Sequence, residues 1–229
     1  MSYIDVNKNS YNEVYKKGWG NKYPDSNIVS YYFNYIKPLL QNETGRKPKM
    51  LDFGCGLGAN TKFFYEQGFE VYGIDISELA IEKCIKNNGF NKDNFKSLNL
   101  FEYNTLEEIF GIRFDLVVAS ETLYYFSKKD VQKILEMFNG ALVNNGVIYA
   151  NWVTYNNDYY RQFKNIKNPN VQVKVDVTGS MDKECNVYII EDKKEMEDIF
   201  SIFNLKYIKS TNIELKGENE SVHYIGMKK

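Results

Sequence analysis

The sequence predicts an α/β fold, a doubly wound and mostly parallel sheet, and three observations carry that expectation. Met50, Leu51 and Phe53 form a short apolar run that ends in three glycines at alternate positions, Gly54, Gly56 and Gly58, with an amphipathic helical pattern just beyond. From Met50 onward, short apolar runs alternate with helical patterns, the order of successive βαβ units. The last two runs, NLKYIKSTNIEL and SVHYIGMKK, face each other across a GENE turn and read as an antiparallel pair.

The elements follow in chain order. The first 48 residues precede the sheet and form a helical cap segment, leaving 49–229 as the main domain. Within the cap, DSNIVSYYFNYIKPLL opens with Asp25 and Ser26 as capping residues and spaces its apolar positions as a helix, with Pro38 near its end. The preceding YNEVYKKGWGNKYP is rich in aromatic residues; Trp19 and Tyr23 make it a candidate cover for a site, since an aromatic side chain sheds water and still offers a polar tip. Packing on the domain edge is the alternative use of the same helix, compatible with the first.

VYGIDIS supplies the second strand, ending at Asp75 and Ile76, and Ser77 caps a helix over 78–88. FKSLNL (95–100) reads as the third strand and FDLVVA, from 114, as the fourth. SKKD (127–130) has the form of a capping box and opens a helix through Phe138, with Gly140 placed to end it. NNGVIYANW (144–152) is the fifth strand. Residues 154–190 exceed a minimal connection and hold the alternating VQVKVDV and the strand-like NVYII, a β-ribbon or a substrate lid. DKKE (192–195) then caps a helix over EMEDIFSIF.

Bulk properties exclude several classes. A chain of 229 residues makes one good-sized domain with a small addition. A net charge of -1 offers no broad field for a phosphate backbone, so nucleic acid is not expected as a partner. Cys55, Cys84 and Cys185 are odd in number with no CxxC pair, which fits a reducing cytoplasm better than a disulfide framework or a zinc knuckle. No apolar run reaches the ~18 residues of a membrane span, and MSYIDVNKNS lacks the apolar core of a signal peptide, so no membrane association is expected. A monomer or a homodimer is expected.

The glycine loop carries the chemistry. Glycine is needed where the turn takes positive φ and where a ligand must approach the backbone, and the helix beyond it presents free N–H groups. Asp75 follows the last glycine by 17 positions, the place of an acid that accepts from a ribose diol, so an adenosine-containing ligand is implied. Asp52, two residues before the first glycine, would repel a pyrophosphate and suits a cationic ligand.

This stretch resembles the first motif of class I S-adenosylmethionine (SAM) dependent methyltransferases, an acid followed by GxGxG. Four landmarks in the right order, over about residues 49–153, support the likeness. The resemblance implies a Rossmann-like sheet of seven strands with only the last antiparallel, SAM as cofactor, S-adenosylhomocysteine (SAH) as product, and no metal. It implies cofactor contacts from Asp52, Gly54, Cys55, Gly56, Gly58, Asp75, Ile76, Asn99, Leu100 and Glu121. Asn99 stands where relatives carry an acid for the adenine amino group, and an amide can accept from the same group.

Methyl transfer is chiefly an alignment problem, and a base matters only for weakly acidic acceptors. The loop after strand four reads Ser120, Glu121, Thr122, Leu123, Tyr124, Tyr125; many relatives have a histidine where Tyr125 stands, and a phenol orients better than it deprotonates. Tyr125, Glu121 and His223, the only histidine, are the catalytic candidates. Trp19, Tyr23, Tyr124, Tyr155 and Arg161 are the candidates for substrate contact, Arg161 for an anion.

There is no Asp/Asn-Pro-Pro-Tyr run, no Pro-Cys nucleophile and no GxSxG elbow, which leaves a small polar metabolite as the acceptor class. WGNKYP resembles methyltransferases that decorate bacterial surface sugars or their phosphorylated precursors. Gly54, Gly56 and Ala59 also satisfy a dinucleotide pattern, which keeps an NAD-dependent oxidoreductase as the second reading and a noncatalytic SAM-binding regulatory protein as the third.

Overall fold

The computed structural model describes residues 3–18, 20–40, 45–157, 170–177, 181–212 and 220–229. Nine strands form two sheets among these residues. The larger has seven strands in the order β3-β2-β1-β4-β5-β9-β8. Its strands are β1 (Lys49–Phe53), β2 (Glu70–Asp75), β3 (Phe95–Ser97), β4 (Phe114–Ala119), β5 (Leu142–Val153), β8 (Phe203–Asn212) and β9 (Glu220–Lys228). Pairings from β3 through β5 are parallel, and β9 alone runs against both of its neighbours. The sheet is therefore the Rossmann-like one expected.

The chain builds β1, β2 and β3 outward, then returns across β1 to lay down β4. That reversal opens a crevice outside the carboxyl ends of β1 and β4, where open α/β sheets bind ligands. Apolar clusters cover both faces of the sheet. One gathers Phe138, Ile134 and Leu135 of α6 (Lys128–Ala141) against Leu51, Val117 and Ile148. The other gathers Phe64 of α3 (Ala59–Glu66), Cys84 of α4 (Glu78–Asn88) and Ile28 and Ile36 of the helix before the sheet against Met50, Val118 and Tyr149.

The helix before the sheet starts as α2 (Ser26–Tyr31), continues through a π turn (Tyr32–Ile36) and closes in a 3₁₀ turn (Lys37–Leu39) that contains Pro38. Asp25 caps it by accepting from the Asn27 N–H at 2.8 Å. The same device recurs downstream: Ser77 accepts from Ala80, Ser127 from Asp130 and Asp192 from Glu195, the last opening α7 (Lys193–Ile199). Ahead of all these stands α1 (Tyr3–Lys16), and α5 (Glu107–Phe110) is a single turn before β4.

Three local expectations need correction. The third strand ends at Ser97, because Asn99 turns its side chain back to accept from the Phe101 N–H and caps a 3₁₀ turn (Leu100–Glu102). Gly140 lies inside α6, which runs on to Ala141 and passes straight into β5; extended backbone at Leu142 stops it. The EMEDIFSIF helix begins earlier and ends at Ile199. Within the insertion after β5, the described strands β6 (Asn170–Val177) and β7 (Met181–Tyr188) pair antiparallel from Asn170↔Tyr188 to Val177↔Met181, and α1 lies against β7. Among the described residues, no helix is long and apolar enough to cross a membrane.

Candidate active site

The glycine loop is held from both sides. Gly54 and Cys55 donate their N–H groups to the Ile74 carbonyl at 2.7 and 3.0 Å, and Gly56 donates to Asp75 Oδ2 at 2.9 Å. Gly54 and Gly56 sit at φ +78° and +52°, where a Cβ would meet the Thr122 side chain and the Tyr15 hydroxyl. Both positions therefore require glycine, for conformation and for space. Tyr15 leans on the loop from the cap.

Asp75 ends β2 and is buried. Its Oδ1 accepts from Ser77 N–H at 2.9 Å while Oδ2 takes Gly56, and lone pairs remain on both oxygens for a diol. Burial raises its pKa, and these backbone donors partly offset that. Asp52 lies beneath the loop, 2 % exposed, where Thr61 Oγ1 donates to Oδ2 at 2.6 Å. Burial pushes the Asp52 carboxyl up to about 7, with the Thr61 hydrogen bond opposing and the charge of Asp75 adding. Asp52 does not line the cavity, and Gly58, at φ +84°, serves as the N-cap of α3.

The crevice is a cavity of about 430 Å³. It brings together Gly54, Cys55, Gly56, Asp75, Ile76, Asn99, Leu100, Glu121, Tyr124 and Tyr125 of the sequence candidates. Glu121 holds a left-handed backbone, φ 53°, and its N–H donates to Asn151 Oδ1 of β5 at 2.6 Å. A non-glycine residue in that region is strained, and Asn151 holds it there.

Other candidates lie elsewhere. His223 is 2 % exposed and outside the cavity, its Nδ1 2.9 Å from the Tyr149 hydroxyl and its Nε2 2.7 Å from Thr211 Oγ1. Burial lowers its pKa to about 4, so it is neutral and its ring nitrogens are both engaged by packing partners. Tyr23 is 81 % exposed, and neither it nor Tyr155 lines the cavity. Trp19 and Arg161 fall outside the described residues.

The wall opposite the loop comes from α1, which sequence reasoning did not single out. Asn7, Tyr11, Val14 and Tyr15 all line the cavity. Asn7 Nδ2 donates to the Tyr125 carbonyl at 2.8 Å, and Lys83 Nζ of α4 donates to the Tyr15 carbonyl at 2.6 Å. Asn60 Oδ1 at the start of α3 accepts from the Asp25 N–H at 3.0 Å, which ties the cap to the loop. The available signal was the spacing of Tyr11, Val14 and Tyr15, one face of a helix placed just before the aromatic WGNKYP. Among the described residues no group of three metal-ligating side chains occurs.

The sheet order, the glycine loop and the acid ending β2 define the class I methyltransferase architecture. Residues 51–148 match the family described as methyltransferase domain. An uncharacterised protein of Rickettsia prowazekii is 30% identical over 159 residues, covering 65% of this chain and 59% of that one. The chain thus spans less than two thirds of that relative's length. Among solved structures, a SAM-dependent methyltransferase from Anabaena variabilis superposes with a TM-score of 0.72 at 15% identity, covering 100% of this chain and 96% of that one. Magnesium protoporphyrin IX methyltransferase from Synechocystis with bound SAH gives 0.67 at 12% identity, covering 100% of both chains. These last two likenesses establish the fold.

Proposed function

We propose that this chain transfers a methyl group from S-adenosylmethionine to an oxygen or nitrogen of a small polar acceptor. The observation that carries the reading is the single cavity joining the glycine loop, Asp75 and the loop after β4 beneath α1. When bound, the cofactor supplies a sulfonium-activated methyl carbon. Asp75 accepts from the ribose diol, the backbone of Gly54 to Gly56 receives the methionine portion, and Asn99 and Leu100 border the adenine. The acceptor occupies the remaining space between α1 and the Glu121 to Tyr125 loop. Alignment of the acceptor with the methyl carbon is then the protein's main contribution.

In this reading residues 1–48 act as a cap on the domain 49–229, and the protein works in the cytoplasm as a monomer or homodimer. The phosphorylated sugar suggested by WGNKYP would need a cation in the wall. Among the described lining residues none is basic, so that substrate would depend on Arg161 or another residue beyond them. A neutral sugar or another polar metabolite fits the described wall without help.

Calorimetric titration of the nucleotide-free protein with SAM, SAH and NAD tests the proposal. Binding of SAM and SAH alone, lost in Asp75→Ala, is the expected result. Binding of NAD alone would replace the reading with an oxidoreductase, and SAM binding without turnover on any acceptor would favour the regulatory alternative.

A further inference from the structure

We infer that the acceptor is a basic amine, methylated on nitrogen and recognised by a tyrosine wall; the inference rests on the methyltransferase reading above. The wall is Tyr11 of α1 with Tyr124 and Tyr125 of the loop after β4, all lining the cavity. The Tyr11 and Tyr125 rings meet edge to face at 5.3 Å, and Tyr124 and Tyr125 lie 4.5 Å apart. Asn7 fixes this arrangement through the Tyr125 carbonyl. Two separate elements thus bring three electron-rich rings to one side of the cavity.

The charged residues of the described lining are Asp25, Asp75 and Glu121, all acidic. Asp75 belongs to the ribose end. Asp25 stands at the N-cap of α2, where its N–H meets Asn60, and Glu121 stands in the loop after β4, beside the Tyr124 and Tyr125 turn. Rings and carboxylates together attract a cation: a ring face contributes about 0.5–1 kcal/mol when exposed and about 2 when dry.

Charge flow during transfer points the same way. With an anionic oxygen as acceptor, the positive charge on sulfur is annihilated, and a wall of carboxylates stabilises nothing new. A basic amine arrives as an ammonium and first loses one proton to water; its freed lone pair then forms the N–C bond as the C–S bond breaks and that bond's electron pair goes to sulfur. The positive charge passes to nitrogen and stays on the product, an N-methylammonium, until any remaining N–H proton is lost to water. A wall that favours cations stabilises that developing charge in the transition state. The phenols of Tyr11 and Tyr15 have pKa values raised by burial, so they serve as rings and hydrogen-bond donors rather than bases.

The test uses three methyl-bearing probes of similar size on the SAH-saturated protein: tetramethylammonium, tert-butanol and acetate, each read by line broadening of its own methyl resonance. Tetramethylammonium alone should bind. Tyr11→Leu and Tyr125→Leu should weaken it about tenfold each while SAH affinity, measured in parallel, stays within about twofold. Tyr125→Phe, which keeps the ring, should bind as the parent does. Preference for acetate, equal binding of tert-butanol, or Leu variants that bind like the parent would overturn the inference. If SAH itself fails to bind, the cofactor reading falls, and the same probes on the bare protein still decide whether the wall selects cations.

Discussion

The Gly56 N–H and the Asp75 carboxylate, 19 residues apart in sequence, are joined by a 2.9 Å hydrogen bond. The bond ties the loop after β1 to the end of β2, so the two halves of the proposed cofactor site share one position. Asp75 also holds Ser77, the N-cap of α4. Asp75→Ala removes both acceptors and leaves two backbone donors without them. We expect stability to fall by about 1–3 kcal/mol, visible in thermal melting, together with loss of SAH binding in calorimetry.

Gly56→Ala separates the two effects. The added methyl sits at positive φ and 2.9 Å from the Tyr15 hydroxyl, where the cap meets the loop and the proposed ligand would approach it. SAH affinity should fall by more than about tenfold with a stability loss of only about 1–2 kcal/mol. An alanine variant that binds like the parent would show that no ligand approaches this backbone.

Asp52 and His223 make opposite contributions to stability against pH. Asp52 is raised to about 7, so the native state holds its proton more tightly than the unfolded chain; stability falls as pH rises from about 4 to 7, by up to about 4 kcal/mol. His223 is lowered to about 4, so the unfolded chain takes the proton first; stability falls as pH drops from 6.5 towards 4, by about 3 kcal/mol. Asp75, also raised, acts in the direction of Asp52. The parent profile should therefore be shallow over this range. Asp52→Asn should melt higher at pH 7 than at pH 5, and His223→Gln the reverse, in melting curves taken across pH 4 to 8.

Asn151 positions Glu121. Without its carboxamide oxygen, the strained backbone at φ 53° loses its buried partner and relaxes. If the loop carries the acceptor side as proposed, Asn151→Ala should lower kcat about tenfold or more with SAH affinity little changed. Glu121→Gly, which removes the conformational strain, should raise thermal stability by about 1 kcal/mol and still lose turnover.

The sheet and the glycine loop were legible because their signals are local. Gly54, Gly56 and Gly58 each take a positive φ, Asp75 holds the N–H of Ser77 two residues on, and Ser77, Ser127 and Asp192 announce their helices by capping. Other residues answer to tertiary partners instead. Asn99, expected at the adenine, lines the cavity while its oxygen also caps the next turn. His223, a catalytic candidate from the sequence, lies outside the cavity with its ring engaged by Tyr149 and Thr211. Tyr11 and Asn7 went unnoticed because only the pairing of α1 with a loop more than a hundred residues away makes them a wall.

That α1 has 14 residues has a kinetic consequence. A helix of this length is marginal by itself in water, so it persists because Tyr15 and Val14 are buried against the domain. It also lines the cavity through Asn7, Tyr11, Val14 and Tyr15, so the shape of the site depends on how firmly this helix is held. A change that weakens the packing of Val14 or Tyr15 should therefore alter ligand exchange without touching the glycine loop.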